Sequence, residues 1–415
     1  MKKFLCVSLA ALMLMGLCAC GNAADTNQPA VTEPKFEALA TDADIALLDG
    51  LYKDRKAYFG DMHNHSESMG RSDGHIKLED WPSTVMEPKQ MDFAVLVDHK
   101  QSEHMRLPEW DDTLFVGGSE AGTQIIDPAL EQGNMHYNMI FTDPDKLDQY
   151  VKSHAEYNYR LDLDPEFKDR HPALEDGRTD WYCFSYPTFS PELFRERMAE
   201  IYDLGGFYVQ VHPLFNNYIK SVDPLGYWYS DYSGFEIYTS TSHDYTPAHE
   251  AMIKAKATWV ELLNLGKIVF ATCGSDDHRD SSVDSLSTLY STEKHANAYL
   301  ERMRVGDFTA GPVGIRMAMG DVVTGGQTDF AGKRLVISVA DWHPQAIKKD
   351  SKYRLDIYND KGLVGSVDLN GTDPVYFAID AEDCKYYRAE VWDVTNDYWF
   401  AVGNPIWNSK YLNQG

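Results

Sequence analysis

The segment AYFGDMHNHSESMGRSDG, residues 57–74, is the stretch from which both the fold and the chemistry are predicted. It starts as a short apolar run typical of a buried strand and then places His63 and His65 two residues apart. Alternate side chains of a strand point the same way, so these two imidazoles would face one point. Asp73 follows within a Gly-containing segment. A His-x-His pair also occurs on solvated strand faces, and it therefore indicates a metal site only in combination with further ligands.

Further side chains of ligand type accompany the later apolar runs of the chain. Because these runs are bounded by Gly, Asp or Pro, they are predicted to be strands. The predicted strands are AYFGDM (57–62), DFAVLVD (92–98), TLFVGG (113–118), HYNMIF (136–141), FYVQV (207–211), GFEIY (234–238) and KIVFATC (267–273). Beside them stand Asp98 and His99, Glu120, His136, His212, Asp276 and His278.

The order of elements predicts an α/β fold for most of the chain. From Tyr58 to about Gly311 the strands alternate with amphipathic helices, one starting at Pro191 and another spanning about residues 247–265. Such alternation predicts a parallel α/β barrel whose chemistry lies at the C-terminal ends of its strands. After Gly311 the apolar period changes to two, which predicts a small antiparallel β domain. Residues 143–189 fit neither pattern and are predicted to be an insertion over one face of the barrel.

The ordered motifs resemble those of the PHP (polymerase and histidinol phosphatase) family over roughly residues 55–310. The tail EVWD…NPIW resembles that of the carbaryl-hydrolase-like branch of the family. The resemblance implies a distorted seven-stranded (β/α) barrel that holds two or three divalent metal ions. The motifs that carry it are His63-x-His65, Ser72-Asp73-Gly74, Asp98-His99, Ser119-Glu120, His136, His212-Pro213 and Gly274-Ser275-Asp276-x-His278.

Carried over position by position, the resemblance implies a ligand set for three metals. His63, His65, Glu120 and Asp276 would hold the first; Glu120, His136 and His212 the second; Asp73, His99 and His278 the third. Imidazole and carboxylate ligands without a thiolate suit zinc, manganese or iron. A cluster of this kind lowers the pKa of a metal-bound water and so supplies a hydroxide. Glu120 and Asp276 are the predicted catalytic carboxylates.

Arg279 directly follows the last ligand pair and is the predicted substrate-binding cation of the site. Its guanidinium could fork onto two substrate oxygens, and Lys100 and Arg71 are alternatives beside other motifs. A solvated surface position is the competing interpretation of all three. Asp98 is predicted to orient His99, and Cys273 to pack inside its strand.

The charge of the chain restricts the class of partner. The formal net charge is −26, and such a surface repels nucleic acid. An anionic small molecule would have to be captured by a local site that contains bound cations. GxSxG, P-loop and GxGxxG motifs are absent from the sequence, which argues against a serine nucleophile, a P-loop nucleoside triphosphatase and a dinucleotide-binding site.

The first twenty residues have the layout of a secretory signal. Two lysines precede an apolar run that is too short to span a bilayer stably, and small residues follow. Leu17-Cys18-Ala19-Cys20-Gly21 resembles the lipobox of bacterial lipoproteins, which implies that Cys20 is a lipid anchor on a bacterial membrane. An ordinary secretory signal is the alternative. The predicted organisation is a signal at 1–20, a tether at 21–44, the barrel at 45–311 and the β domain at 312–415.

The sequence therefore predicts an exported, lipid-anchored, metal-dependent hydrolase, with a phosphate ester as the favoured substrate. The resemblance of the tail keeps a carbamate or carboxyl ester hydrolase as the alternative, since the same hydroxide can add to a carbonyl. A lipoprotein that only binds, with metals that stabilise its fold, is the alternative of another class.

Overall fold

A computed structural model describes residues 39–68, 72–99, 101–125, 133–153, 183–186, 191–213, 229–240, 246–247 and 249–412. Within these ranges the helices are α1 (Asp42–Tyr52), α2 (Glu87–Lys89), α3 (Pro144–Ser153), α4 (Pro191–Asp203), α5 (Glu250–Asn264), α6 (Ala296–Arg304) and α7 (Ser409–Leu412). None of these helices is long and apolar enough to cross a membrane.

Each apolar run predicted to be a strand forms one. These strands are β1 (Lys56–Asn64), β2 (Phe93–Leu96), β3 (Phe115–Ile125), β4 (Gly133–Phe141), β6 (Phe207–Val211), β7 (Ser233–Thr239) and β8 (Val269–Gly274). The remaining strands are β5 (Cys183–Tyr186), β9 (Ser287–Ser291), β10 (Phe308–Ala310), β11 (Val313–Met319), β12 (Val322–Val323), β13 (Gln327–Thr328), β14 (Arg334–Trp342), β15 (Tyr353–Asn359), β16 (Gly362–Leu369), β17 (Val375–Asp380), β18 (Tyr386–Asp393), β19 (Tyr398–Gly403) and β20 (Ile406–Asn408).

The seven strands belong to one curled sheet of mixed direction. β1, β2 and β3 are parallel neighbours, as are β6, β7 and β8. β4 lies between the two sets and is antiparallel to both β3 and β6. The sheet curls until Asn64, at the end of β1, bridges to Asp277, just beyond β8. The C-terminal ends of the parallel strands therefore converge on one region.

The predicted distorted seven-stranded (β/α) barrel is wrong. The main sheet continues past β1 through the antiparallel strands β9 and β10 into β19, β18, β20 and β13, so the seven strands do not form a separate closed barrel surrounded by helices. The reason is visible at β3 and β4. Only residues 126–132 separate these strands, whereas a parallel crossover needs about a dozen residues or more. The chain therefore returns antiparallel to β3.

The segment after Gly311 forms mainly antiparallel strands, as its period of two predicted, and the short strands β13 and β20 pair in parallel. β11, β12, β14 and β17 make a second sheet, while β15 and β16 form a hairpin that pairs through β15 with β18. Both parts have apolar interiors. The first is packed around side chains such as Phe93, Phe207 and Trp259, and the second around side chains such as Ile337 and Leu355. The division into separate domains at residue 311 stays a prediction.

Proline and glycine signals in the sequence also mark the observed ends of two helices. α4 begins at Pro191, where the missing N–H of proline costs no intrahelical hydrogen bond. Gly205 follows its end with φ +94°, and Gly266 follows the end of α5 with φ +79°. A left-handed residue there stops a helix, and glycine adopts it without a steric penalty. Trp259 of α5 donates its Nε1–H to Val269 O at 2.9 Å and so fixes the helix on β8.

Candidate metal centre

Backbone hydrogen bonds bring the ends of four strands together at one edge of the sheet. Asp276 donates its N–H to His63 O at 2.8 Å, which joins the segment after β8 to β1. Val97 donates to Asn64 O and Glu120 to Val97 O, both at 2.9 Å, which joins β1, β2 and β3 in turn. His136 reaches the same edge because β4 is antiparallel and His136 lies opposite Gly122 of β3 and Val211 of β6.

All nine predicted ligands occur at this edge, in three overlapping groups that could hold a metal ion. Within each group the ligand atoms lie within 4.8 Å of one another. The groups are His63, His65, Glu120 and Asp276; Glu120, His136 and His212; and His65, Asp73, His99 and His278. His65 belongs to the first and third groups, whereas the sequence assigned it to the first alone.

Glu120 is the central carboxylate, and its two oxygens face different groups. Oε1 lies 2.8 Å from His136 Nδ1 and 3.2 Å from His212 Nε2. Oε2 lies 3.3 Å from His63 Nε2 and 3.1 Å from His65 Nε2. A carboxylate arranged in this way can offer one oxygen to each of two neighbouring ions.

Asp276 completes the buried part of the centre, and Asp73 marks its open side. Asp276 Oδ1 lies 3.4 Å from His63 Nε2 and 3.3 Å from His65 Nε2. Asp73 Oδ1 lies 3.1 Å from His278 Nε2 and 3.5 Å from His99 Nε2. The side chain of Glu120 is 1 % exposed and that of Asp73 is 62 % exposed. The centre is therefore closed at the first group and accessible at the third.

Burial and neighbouring charges shift the pKa values of these side chains in opposite directions. Burial alone would raise the pKa of Glu120, but the surrounding imidazoles, His99 first, hold it well below its usual range. Burial lowers the pKa of His65, yet the carboxylates of Asp276 and Glu120 outweigh it and raise this pKa to about 9. For His99 burial dominates and lowers the pKa to about 4. The buried carboxylates thus attract positive charge to the first group.

Two of the ligand residues have strained backbone conformations. His212 has φ +29° and Asp276 has φ +50°, in the left-handed region that non-glycine residues rarely adopt. Such a conformation costs on the order of 1–3 kcal/mol and persists only where the surroundings hold it. The N–H groups of both residues are held, that of His212 by Glu236 and that of Asp276 by His63 O.

Gly274, the last residue of β8, leaves room for His63. A Cβ atom at this position would lie 2.4 Å from His63 Cβ and 2.8 Å from its backbone nitrogen. Both atoms belong to the rigid part of His63, so neither can move aside without moving the strand. Glycine is therefore required here for the close approach of β8 to the ligand on β1.

Glu236 is a residue of the site that the sequence prediction missed. It lies on β7, is 2 % exposed, and contacts His63 Nδ1 at 3.1 Å and the N–H of His212 at 2.7 Å. The available signal was a lone glutamate in the apolar run GFEIY. A carboxylate in a buried strand is unfavourable without partners, so its position alone indicated a polar neighbour.

Two further buried aspartates support the loops that carry ligands. Asp61 accepts hydrogen bonds from the N–H groups of His63 and Ser275 at 3.0 and 2.9 Å. Asp98 accepts from both the N–H and the hydroxyl of Ser66, at 2.6 and 2.7 Å, and lies 3.6 Å from His104 Nδ1. The observed contacts of the Asp98 carboxylate thus stabilise the loop after His65, whereas the predicted role was to orient His99.

The remaining predicted residues occupy varied positions. Arg279 is exposed next to His278, and its N–H donates to Asp277 Oδ1 at 2.7 Å. Cys273 is a buried free thiol of β8. Lys100, Arg71 and the predicted lipid anchor Cys20 lie outside the described residues.

Comparison with known protein families and curated proteins places the chain in no family. No family model matches the sequence, and no curated protein matches it. The crystal structure of an engineered protein is similar at 11% identity, over 90% of this chain and 98% of that one, with a TM-score of 0.20. A score this low supports no inference about fold or function.

Proposed function

We propose that the chain is a metal-dependent hydrolase of the PHP type, with two or three divalent ions at the edge where β1, β3, β4 and β8 meet. The observation that supports the proposal most strongly is the position of the Glu120 carboxylate. One of its oxygens faces the first group of candidate ligands and the other faces the second. The order of motifs along the chain supports the same family. The (β/α) barrel that the family implies is not part of the proposal.

The donor set fits divalent ions. It combines imidazole nitrogens with carboxylate oxygens, which suits zinc, manganese or iron. His65 adds a second argument. Its ring is fully buried, and among the described atoms neither ring nitrogen makes a well-aligned hydrogen bond, although Nε2 lies 3.1 Å from Glu120 Oε2 and 3.3 Å from Asp276 Oδ1. Buried polar atoms are nearly always paired, so a cation between His65 and its neighbouring carboxylates accounts for the arrangement.

The residues of the chain prepare the site for hydrolysis. Bound ions would supply Lewis-acid chemistry, acidifying water and offsetting negative charge on the substrate. Glu120 and Asp276 hold positive charge in the closed part of the centre, and the strand hydrogen bonds keep their geometry fixed before substrate arrives. Asp73 and His136 lie at the open side, where a substrate could enter.

A phosphate ester is the substrate class that we favour. The chain has a net charge of −26, so an anion can approach only where cations are concentrated. Arg279 lies exposed beside the third group and could add a guanidinium to the charge of the ions. The resemblance of the tail supports a carbamate or carboxyl ester as the alternative, for which Arg279 would not be needed.

The open side of the centre argues against a purely structural role for the metals. Structural sites are normally closed by protein ligands, whereas catalytic sites keep a position for water or substrate. The partial exposure of Asp73, His99, His136 and His278 corresponds to the second type.

We also propose that the protein is exported and anchored through Cys20, since the first twenty residues have the layout of a lipoprotein signal.

The test is a hydrolysis screen of the purified chain with and without a chelator. Phosphate monoesters and diesters, aryl esters and aryl carbamates are supplied in the presence of Zn²⁺ or Mn²⁺. Chelator-sensitive hydrolysis of a phosphate ester is the expected result. Hydrolysis of carbamates or aryl esters alone would replace the phosphoesterase with the carbonyl hydrolase, and no hydrolysis of any class despite bound metal would favour the binding lipoprotein.

A further inference from the structure

Glu236 contacts ligand residues of two different groups in the candidate metal centre. Its Oε1 lies 3.1 Å from Nδ1 of His63, which belongs to the first group. Its Oε2 accepts the backbone N–H of His212 at 2.7 Å, and His212 belongs to the second. Glu120 faces the Nε2 atoms of the same two histidines. The two residues are thus held between a pair of carboxylates, Glu120 at the ligand atoms and Glu236 behind them.

We infer that Glu236 is a positioning residue that orients His63 and His212 for two metal ions at once. The inference rests on the proposed function, because it concerns the same centre. Burying a carboxylate without partners is costly, and the contacts to His63 and His212 offset that cost. A role limited to packing would be filled equally well by an apolar side chain in the surrounding strand GFEIY.

The contact with His63 selects the form of the ring that can bind a metal. An ionised carboxylate only accepts hydrogen bonds, so Nδ1 of His63 must carry the hydrogen that it donates to Glu236. The lone pair of Nε2 is then free to face Glu120 and Asp276, which lie 3.3 and 3.4 Å away. Partners of this kind fix both the orientation of a ligating histidine and the nitrogen it offers.

The contact with His212 holds a strained backbone. His212 has φ +29°, and its N–H points to Glu236 rather than into the regular ladder of a strand. This conformation places Nε2 of His212 3.2 Å from Oε1 of Glu120. Without the acceptor the residue would relax toward an ordinary backbone conformation, and its ring would leave the second group.

Glutamine at this position can satisfy only one of the two contacts. Its amide has one accepting oxygen and one donating nitrogen. If the oxygen accepts from His212, the NH₂ group faces Nδ1 of His63 and favours the ring form with the hydrogen on Nε2. If the amide is reversed, the NH₂ group faces the N–H of His212. Either arrangement weakens one group of ligands and disturbs the other through Glu120.

The test measures the affinity of the full-length chain for Zn²⁺ by competition with a chromophoric chelator. We expect Glu236→Gln to weaken binding of two ions by roughly 10- to 100-fold, the usual effect of losing such a partner. With Co²⁺ as a probe, the visible absorption band of the bound ion should shift, because the nitrogen offered by His63 changes. A loss of general stability would not produce that shift.

Glu390→Gln is the matched control. It makes the same chemical change at a buried carboxylate whose partners are Lys256 and Arg388. We expect it to lower the stability of the chain without altering Zn²⁺ affinity or the Co²⁺ band.

The outcomes separate this inference from the proposed function. If the wild type binds ions and Glu236→Gln binds them equally well with an unchanged Co²⁺ band, the inference is overturned and the function stands. If the wild type binds none, the proposed function itself fails. Should Glu236→Gln not fold, Glu236→Asp takes its place, since its shorter carboxylate can reach only one of the two partners. It should weaken at least one ion about tenfold, and wild-type affinity for both ions would overturn the inference.

Discussion

Oε1 of Glu120 lies 2.8 Å from Nδ1 of His136, although the two residues belong to antiparallel strands and are 16 positions apart. The contact exists because β4 returns along β3 and brings its first residues beside the last residues of β3. Had β4 been parallel to β3, as a (β/α) barrel requires, His136 would lie at the opposite edge of the sheet. The departure from the predicted fold is thus what completes the second group of candidate ligands.

Gly274→Ala should damage the centre without removing any ligand. The added Cβ would lie 2.4 Å from Cβ of His63, so β8 and β1 must separate. We expect a loss of about 1–3 kcal/mol in the free energy of unfolding, the usual cost of overpacking, together with weaker metal binding. Denaturant unfolding of the metal-free chain and chelator competition measure the two effects.

Gly50→Ala is the control for that substitution. Gly50 lies in α1, and a Cβ there would meet nothing within 4 Å. Alanine should stabilise the helix by roughly 0.5–1 kcal/mol and leave metal binding unchanged. Equal behaviour of the two alanine variants would show that β8 does not hold His63 as closely as described.

Stability in acid should depend on Glu390, a fully buried residue of β18. Burial raises its pKa, but Lys256 and Arg388 outweigh burial and lower the pKa to about 2, against 4.5 for an ordinary glutamate. Because the folded-state pKa is the lower one, the unfolded chain binds more protons between these values. The stabilisation is therefore present above about pH 4.5 and is lost as the pH falls toward 2.

The measurement is the free energy of unfolding of wild type and Glu390→Gln across this pH range. The advantage of the wild type should shrink by up to about 3 kcal/mol as the pH falls. Glu382→Gln is the control, since it makes the same chemical change at an exposed glutamate. An advantage that stays constant from pH 6 to pH 2.5 would contradict the assignment of this buried pair.

Arg279 distinguishes the two hydrolase chemistries. If phosphate esters are the substrates, Arg279→Ala should cost roughly 2–4 kcal/mol in kcat/KM, the scale of losing one preorganised charged donor, with metal content unchanged. Arg279→Lys should recover only part of the loss, since an ammonium cannot fork onto two oxygens. A neutral Arg279→Ala, with carbamates or aryl acetates cleaved faster than any phosphate ester, would favour the carbonyl hydrolase.

Cys20→Ser tests the proposed location. Without the thiol that carries the lipid, the protein should leave the membrane fraction or keep its signal uncleaved. Cys18→Ser is the matched control and should alter neither, because Cys18 is not the anchor position. Fractionation and the apparent mass of the chain on a gel measure both outcomes. Normal processing and membrane association of Cys20→Ser would contradict the lipoprotein proposal.

The sequence located the strands well because their signal is local. Runs such as DFAVLVD and KIVFATC are apolar and bounded by Asp or Gly, and each contains a strand. Strand direction carries no such signal in the run itself. It depends on the connection. The predicted strands ended at residue 118 and resumed at residue 136, which leaves room for a parallel crossover, whereas in the structure β3 and β4 extend until only residues 126–132 separate them. The continuation of the sheet from β9 into β10 and β19 depends on long-range pairing and could not be predicted from local pattern.

The nine predicted ligands came from the order of motifs, and the structure brings them together at one edge. Glu236 was missed because its role depends on two contacts that are distant in sequence, to His63 and to His212. The role of Asp98 was predicted from its neighbour His99, whereas its carboxylate contacts Ser66. Adjacent side chains along a chain often point in different directions, so adjacency is a weak guide to contact.

Metal analysis of the purified chain, alongside Glu120→Ala, tests the central claim most directly. The wild type should contain two or three transition-metal ions per chain, and Glu120→Ala should lose at least one ion together with all hydrolytic activity, because its two oxygens serve two groups. Glu109→Ala, which removes an exposed carboxylate outside the three groups, should behave as wild type. A wild-type chain without stoichiometric metal, or with activity unaffected by chelators and by Glu120→Ala, would contradict the account.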